Sequence, residues 1–298
     1  MGELKTWKVH ESPFPIIYVD LTTRCNMKCN FCYMAGREDG KDIDVDYFEE
    51  VCKSLPQHVT FRFIGGEPTL HPRFFDIMAI ARKYKHLPTV ASNGKKYCDI
   101  NFVKEMKKVG GIYSTTLSGG LTNREAYKII DGEDCLDWKV QAINNIAEVG
   151  VRHSVLSSII MRGLNENTIG ELKGFAEKHR KVFRYLKVRS TLNIGRCGGP
   201  HPYTTDEFEH FLLPHYFDMS KFKLIYSTKD EDKIEICKDR RCCYYFVYDG
   251  FLTVSFVEFG SPNSRICWKR GKLDNNFNLT KWFEEIHHYG TSPEIQVQ

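Results

Sequence analysis

The chain has 298 residues, of which 42 % are hydrophobic and 27 % are charged, as is typical of a soluble globular protein. No stretch approaches the roughly 18–20 consecutive apolar residues that a membrane helix needs, so we expect no membrane partner. The net charge of +4 is modest and the lysines are spread along the chain, so we expect no nucleic-acid partner.

The first 200 residues alternate between short β-rich runs and amphipathic helical patterns. Six such units favour a parallel sheet with right-handed crossovers, and a closed eight-unit barrel needs roughly 250 residues. We therefore predict an α/β fold, a partial (β/α)6 TIM-like barrel over residues 1–200. The predicted strands are 16–21, 59–64, 89–92, 112–117, 154–161 and 185–191. The predicted helices are 44–55, 72–84, 100–109, 138–149 with Gly150 as the stop, and 168–178.

Residues 201–298 follow a different pattern, after a loop at 196–202 that is rich in glycine and proline. A helix is predicted over 204–216, with Thr205 as its N-cap, and another over 279–287. Between them, two β-rich runs are joined by Asp249 and Gly250, which is a strong β-hairpin signal. We expect a small C-terminal α+β extension that carries this hairpin.

The 11 cysteines are many for a chain whose first residues show no apolar signal-peptide run. We therefore expect a cytoplasmic protein in which cysteines serve metal binding and thiol chemistry rather than disulfides. Cys25, Cys29 and Cys32 follow the first predicted strand in a CxxxCxxC spacing. Three close thiolates can hold a four-iron cubane cluster and leave one iron open to another molecule.

A non-catalytic module, in which the same cysteines hold zinc or an iron–sulfur cluster structurally, is the alternative. A structural zinc site usually needs four ligands, and no fourth cysteine or histidine lies nearby in the sequence. The non-catalytic alternative makes no demand on the ends of the other strands, which is where barrel enzymes place their chemistry.

Three further motifs lie at predicted strand ends. Glycines permit close approach of the backbone to a ligand, and a carboxylate can accept hydrogen bonds from an ammonium group. A simple strand-to-helix turn is the alternative interpretation of the first motif, and an Asn-Gly turn is that of the second. The motif residues are Gly65, Gly66, Glu67 and Pro68 after the second strand, Ser92 and Asn93 after the third, and Ser118 after the fourth.

The cysteine spacing, with Phe31 before the last cysteine, and the Gly-Gly-Glu-Pro turn together resemble the radical S-adenosylmethionine (SAM) superfamily. The resemblance implies that Cys25, Cys29 and Cys32 ligate a [4Fe–4S] cluster, whose fourth iron is chelated by the amino and carboxylate groups of SAM. It implies that an electron from a donor such as flavodoxin or ferredoxin cleaves SAM to methionine and a 5′-deoxyadenosyl radical. That radical would abstract hydrogen from the substrate.

The resemblance also implies a set of SAM-binding residues. Many peptide-modifying relatives carry Arg-Gly after the fourth strand, whereas this chain has Asp131 and Gly132, and an aspartate cannot bind the SAM carboxylate. Arg162, Arg189 and Ser157 are therefore candidates for that role, with ordinary barrel-lining roles as the alternative. The predicted cofactor-binding set is Phe31, Gly65, Gly66, Glu67, Pro68, Ser92, Asn93, Ser118, Ser157 and Arg189.

Four cysteines surround the hairpin in a layout that resembles a SPASM/Twitch extension, which usually holds auxiliary iron–sulfur clusters. Ser255 stands where that extension often has a cysteine, so we favour a degenerate extension without a cluster, and an auxiliary cluster is the alternative. Cys242 or Cys243 is predicted as a catalytic thiol that acts on the substrate. The extension suggests a peptide substrate, and a sugar, aminocyclitol or other small metabolite is the alternative. The four cysteines are Cys237, Cys242, Cys243 and Cys267.

Overall fold

The computed structural model describes residues 5–32, 40–56, 58–190, 203–226, 243–257 and 270–281. These residues contain twelve strands that belong to one sheet. The strands are β1 Trp7–Lys8, β2 Ile16–Thr22, β3 Thr60–Gly65, β4 Leu87–Ser92, β5 Ile112–Thr116, β6 Ser154–Ile160, β7 Phe183–Ser190, β8 Phe222–Tyr226, β9 Cys243–Tyr248, β10 Leu252–Val257, β11 Arg270–Leu273 and β12 Asn278–Lys281.

The helices connect successive strands of the sheet. Within the described part of the chain, no helix is long and apolar enough to cross a bilayer. The helices are α1 Val45–Ser54, α2 Phe74–Lys83, α3 Ile100–Val109, α4 Arg124–Asp131, α5 Leu136–Val149, α6 Thr168–Lys178, α7 Thr205–Glu207 and α8 Leu213–Tyr216, with a π-helical turn at Phe208–Leu212 and 3-10 turns at Val9–Glu11, Pro68–Leu70, Lys95–Cys98 and Met219–Lys221.

The sheet has the order β1-β12-β11-β2-β3-β4-β5-β6-β7-β10-β9-β8. Every neighbouring pair from β11 to β10 is parallel, and the outer pairs are antiparallel. The predicted α/β fold with six successive parallel strands, β2 to β7, is confirmed, and the sheet is an open, partial barrel.

The C-terminal strands extend both edges of this sheet. β10 pairs in parallel with β7, and β11 pairs in parallel with β2. The predicted hairpin is confirmed as β9 and β10, and its turn places Asp249 at φ 46° and Gly250 at φ 67°. These strands therefore continue the barrel sheet. The division of the chain into two domains at residue 200 stays a prediction.

Two local predictions for the C-terminal region are wrong. Residues 279–281 of the predicted helix lie in β12, which pairs with β11, and residues 282–287 lie outside the described residues. Thr204, not Thr205, caps the 205–216 helical segment: its Oγ1 accepts a hydrogen bond from the Glu207 N–H, and the Glu207 carboxylate accepts one from the Thr204 N–H. This reciprocal pattern is a capping box.

The main hydrophobic core lies between the helices and one face of the sheet. Alternate strand residues such as Ile17, Val19 and Phe63 belong to this core, because successive side chains of a strand point to opposite faces. The residues between them line the other, concave face, where Tyr18 and Ile64 form a separate small apolar cluster. The carboxyl ends of the parallel strands therefore meet at one rim of a partial barrel, and the alternate strand residues line its interior.

Candidate active site

One pocket at this rim brings together most of the residues singled out from the sequence. It combines the loop after β2, the ends of β3 and β4, and side chains from β5, β6, β7, α4 and α5. The lining residues include Cys25, Cys29, Phe31, Cys32, Gly65, Gly66, Glu67, Ser92, Asn93, Thr116, Asp131, Lys139 and Arg189.

The end of β3 holds the start of the cysteine loop through backbone hydrogen bonds. The Gly66 N–H donates to the Thr22 carbonyl at 2.8 Å, and the Glu67 N–H donates to the Arg24 carbonyl at 2.7 Å. A Cβ atom at Gly66 would lie 2.1 Å from the Arg24 carbonyl oxygen, and one at Gly65 would lie 2.4 Å from that of Thr22. The two glycines are therefore required because only a bare backbone can approach this loop so closely.

The carboxyl end of α4 holds the other side of the loop. The Asn30 N–H donates to the Ile130 carbonyl at 3.1 Å, and its Nδ2 donates to the Ile129 carbonyl at 3.0 Å. Gly132 has φ 81°, and a Cβ atom there would lie 2.7 Å from the carbonyl oxygen of Lys28. The Asp-Gly sequence that departs from the family pattern thus serves as a backbone support for the cysteines.

We expect Gly66→Ala to prevent assembly of a normal cysteine site, because its new Cβ atom would collide with backbone rather than with a flexible side chain. The measurement is iron per chain after anaerobic reconstitution, which should fall to a small fraction of the wild-type value. Gly174→Ala is the matched control: Gly174 lies in α6, and nothing lies within 4 Å of a Cβ atom built there. Wild-type iron content in Gly66→Ala would contradict the close-approach role.

The Glu67 carboxylate joins the ends of β3 and β4. It is buried, with 1 % of its surface exposed, and it accepts hydrogen bonds from the Thr69 N–H and hydroxyl, the Ser92 hydroxyl and the Asn93 N–H. Burial raises the pKa of Glu67, and these four donors oppose that rise. In the structure Glu67 positions the ends of β3 and β4 relative to each other. A contact between this carboxylate and the SAM ammonium stays a prediction.

Glu67→Ala is expected to lower the free energy of unfolding of the metal-free protein by about 2–4 kcal/mol, because it leaves buried donors without an acceptor. Urea denaturation measures this loss. Thr69→Val, which removes one of these donors, is the milder comparison, with an expected loss of about 1 kcal/mol. Unchanged stability of Glu67→Ala would contradict the positioning role, and unchanged SAM affinity in its reconstituted form would remove this strand end from the SAM site.

A buried ion pair that sequence reasoning missed lies beside the cysteines. Lys139 Nζ lies 2.8 Å from an Asp131 carboxylate oxygen and donates to the Thr116 carbonyl at 2.7 Å, and both charged side chains are almost fully buried. The other Asp131 oxygen accepts from the Ser118 hydroxyl. Helical periodicity is the sequence signal that indicates burial of Lys139. This residue lies three positions after Leu136 and four before Ile143, on the buried face of α5.

Several predicted SAM-binding residues lie outside this pocket. Ser118 is fully buried and donates a hydrogen bond to Asp131, while Ser157 is buried on β6, in register with Thr116. Arg162 pairs with Glu207 and stacks on the ring of Tyr203. None of these three residues is in the pocket lining, and a contact between any of them and SAM stays a prediction.

Of the candidates for the SAM carboxylate, only Arg189 lines the pocket, and it donates to the Thr116 hydroxyl at 3.1 Å. Pro68 begins the buried 3-10 turn behind Glu67. Cys242, Cys237 and Cys267 lie outside the described residues, and only the backbone of Cys243, at the start of β9, is described. The catalytic role of Cys242 or Cys243 stays a prediction.

The thiols of Cys25 and Cys29 are protonated near neutral pH while no metal is bound. Burial raises the pKa of Cys25, and burial together with the nearby Asp131 carboxylate raises the pKa of Cys29 to about 12. Because iron binds thiolates, assembly of a cluster on these cysteines must displace their protons.

A single structural zinc ion fits these three cysteines less well than a cluster does. A structural zinc site usually takes four protein ligands, and the described pocket lining holds no histidine and no fourth cysteine.

Comparisons with known proteins agree with this geometry. A 7,8-dihydro-6-hydroxymethylpterin dimethyltransferase from Methanocaldococcus jannaschii is 27 % identical over 63 % of this chain and 38 % of its own length. A probable GTP 3′,8-cyclase from Pyrococcus abyssi is 25 % identical over 59 % of this chain and 57 % of its own. This chain thus matches well under two thirds of the length of either relative.

SuiB of Streptococcus suis, with its precursor peptide SuiA bound, has a similar fold. The TM-score is 0.54 at 16 % identity, over 66 % of this chain and 44 % of SuiB.

The family model of the Radical SAM superfamily matches residues 19–176, more than half of the chain. That span begins in β2 and contains the cysteine loop, the ends of β3 to β6 and the Asp131–Lys139 pair. Members of the family use a [4Fe–4S] cluster together with SAM. Sequence, pocket and family model agree, and the chain belongs to the radical SAM superfamily of enzymes.

Proposed function

We propose that this chain cleaves SAM reductively and uses the resulting 5′-deoxyadenosyl radical to abstract hydrogen from a substrate. The observation that carries the proposal is the convergence of Cys25, Cys29 and Cys32 with the ends of β3 and β4 on one pocket. When bound, the cluster passes the electron that breaks a carbon–sulfur bond of SAM. The non-catalytic alternative gives no reason for the strand ends to face the cysteines.

The residues of the chain position the cofactors. Gly65, Gly66 and the α4 end fix the cysteine loop from two sides. The Asn93 amide donates to the Asn26 side chain at 2.8 Å and so joins the end of β4 to the same loop. Arg189, which lines the pocket, is the proposed partner of the SAM carboxylate, because a guanidinium matches a carboxylate with two hydrogen bonds.

The substrate class has two candidates. A peptide is favoured by the resemblance of the C-terminal region to a SPASM/Twitch extension, and SuiB is recorded with a precursor peptide bound. A small metabolite is favoured by the names of the sequence relatives, which act on a pterin and on GTP. A small acidic electron carrier such as flavodoxin or ferredoxin is the proposed reductant.

The test is SAM cleavage by the anaerobically reconstituted protein with dithionite as reductant. We expect methionine and 5′-deoxyadenosine to form in equal amounts, and neither to form without reductant. A reconstituted protein that carries iron and binds SAM, yet forms no 5′-deoxyadenosine, would contradict the proposed function and favour the non-catalytic module.

We expect the C-terminal cysteines to hold no second cluster, because Ser255 replaces a thiolate and hydroxyls are poor cluster ligands. Iron should stay near four per chain, and replacing Cys237, Cys242, Cys243 and Cys267 with alanine should remove none of it. About eight irons in the wild type, lost in the fourfold variant, would establish an auxiliary cluster instead. If Cys242→Ala or Cys243→Ala stops substrate turnover while SAM cleavage continues, the thiol has the predicted catalytic role.

A further inference from the structure

A groove lies at the rim of the sheet opposite to the cysteine pocket. It has a volume of about 1030 Å³, and its lining comes from the helix-to-strand connections that lead into β4, β5, β6 and β7. The cysteine pocket lies at the other ends of these parallel strands. Strands of five to eight residues put roughly 16–26 Å between the two sites, and no residue lines both.

Positive charge dominates the lining of this groove. Six permanent cations and two histidines line it, with no carboxylate among the lining residues, and all six cations are exposed. Within the described part of the chain, none of the six forms an ion pair with a carboxylate. Lys107 donates to the Val149 carbonyl, and Arg180 stacks on the ring of Phe251. The cations are Arg82, Lys107, Arg152, Lys178, Arg180 and Lys181.

The carboxylates that are close in sequence do not neutralise the groove. Glu105 pairs with Lys108 and Glu177 pairs with Lys173, and none of these four residues belongs to the lining. Glu148, in the last turn of α5, is exposed and also lies outside the lining. The groove therefore has a local excess of positive charge, although the net charge of the whole chain is only +4.

Helix ends explain part of this charge. The helices α2, α3, α5 and α6 end at this rim, and each helix C-terminus carries about −0.5 of an elementary charge, which favours cations in the last turn. Arg82, Lys107 and Lys178 occupy such positions. The four helix ends together carry about −2, which leaves the six cations in excess. A cleft lined by one sign of charge attracts a partner of the opposite sign.

Apolar side chains in the same lining indicate what kind of anion fits. Leu87, at the start of β4, exposes 39 % of its surface, and Ile112 and Ala147 are half-buried beside the cations. Such a surface favours a partner that carries apolar groups as well as negative charge. Proteins that bind single-stranded nucleic acid usually stack its bases on aromatic side chains, and the lining has no phenylalanine, tyrosine or tryptophan.

The backbone of these loops offers little to a compact phosphate group. The Gly110 N–H donates to the Met106 carbonyl, and the N–H groups of Gly150 and Val151 both donate to the Ile146 carbonyl. Phosphate sites at loops commonly use such N–H groups, which are already occupied here. Long, exposed cationic side chains around apolar surface are better suited to the spaced carboxylates of a polypeptide.

We propose that this groove docks an acidic, amphipathic segment of a partner protein. Its carboxylates would pair with Arg152, Arg180 and Lys181, and its apolar side chains would contact Leu87. A partner bound here leaves the cysteine pocket open. The proposal goes beyond the proposed function and does not depend on it, because no residue of the groove belongs to the cysteine pocket.

The probe is a fluorescent synthetic peptide that forms a helix with glutamates along one face and leucines along the other. Fluorescence anisotropy measures its binding to the reconstituted 298-residue chain. We expect Arg152→Glu and Lys181→Glu each to weaken binding about tenfold, since each replaces an attraction with a repulsion. Leu87→Ser should weaken it about fivefold through lost apolar contact. Arg152→Lys and Lys181→Arg keep the charge and should keep most of the affinity.

Lys104→Glu is the matched control, because Lys104 is exposed on α3 but does not line the groove. It should bind the peptide within about twofold of the wild type. Equal losses in Lys104→Glu and Lys181→Glu, or no binding by the wild type, would overturn the proposal. SAM cleavage with dithionite should be the same in all of these variants and the wild type, which separates lost docking from misfolding.

Two further ligands test the chemistry of the partner. A scrambled peptide of the same composition, which lacks an apolar face, should bind about fivefold more weakly. Equal binding of the scrambled peptide would overturn the amphipathic part of the proposal. Single-stranded RNA of equal charge should bind more weakly than the acidic helix. Tighter binding of the RNA, lost in Lys181→Glu, would overturn the proposal in favour of a nucleic-acid surface.

Discussion

Replacing Cys25, Cys29 and Cys32 together with alanine is expected to abolish 5′-deoxyadenosine formation. The three thiols, which line the pocket, are the proposed cluster ligands, and without them we expect no iron to be held where SAM can chelate it. Iron content after reconstitution and product analysis by chromatography measure the two consequences. Product formation should fall below detection rather than by a modest factor.

Cys98→Ser is the matched control for this experiment. Cys98 is half-buried, lies outside the pocket lining, and its thiol donates to the Trp138 carbonyl at 3.0 Å, which a serine hydroxyl can also do. It should keep wild-type iron and product yield. SAM cleavage by the triple alanine variant after reconstitution would show that the cysteine assignment is wrong.

Lys139→Met is expected to destabilise the protein by about 3–5 kcal/mol, because it leaves the Asp131 carboxylate buried without its partner. The pair lies 2.8 Å apart with 1 % and 6 % of the two side chains exposed, so water cannot replace the lost lysine. Urea denaturation of the metal-free protein measures the change. The same substitution should reduce iron uptake, since Asp131 lies next to Gly132, which supports the cysteine loop.

The double variant Lys139→Met, Asp131→Asn provides the control. It removes both charges and keeps an oxygen that accepts from the Ser118 hydroxyl. We expect it to recover more than half of the stability lost in Lys139→Met, because the cost comes from an unpaired buried charge rather than from packing. A double variant as unstable as the single one would show that the lysine acts through its shape or its contact with Thr116.

The parts of this protein that could be predicted from sequence are those encoded locally. The strands β2 to β7 are apolar β-rich runs that end in turn-forming residues. Their order and the motifs at their carboxyl ends could therefore be placed without coordinates. The sequence identifies Gly65 and Gly66 as sites of close approach. The structure shows that they approach the carbonyls of Thr22, at the end of β2, and of Arg24, in the cysteine loop.

The features that sequence reasoning missed depend on partners distant in the chain. Lys139 resembles a solvated helix residue until Asp131 and Thr116 are placed beside it. Residues 279–281 carry a pattern compatible with a helix, but hydrogen bonding to β11 makes them a strand, and β11 in turn pairs with β2 at the other end of the chain. Such pairing overrides local propensity because the sheet supplies the hydrogen bonds.

The central claim is that Cys25, Cys29 and Cys32 hold a cluster with one iron open to SAM. Electron paramagnetic and electron–nuclear double resonance spectra of the reduced, reconstituted protein test it directly, with SAM isotopically labelled at its amino nitrogen and carboxylate oxygens. We predict hyperfine coupling from both labels to the cluster, and its loss in the triple alanine variant. A reduced cluster whose spectrum is unchanged by SAM, with no coupling to either label, would contradict the claim.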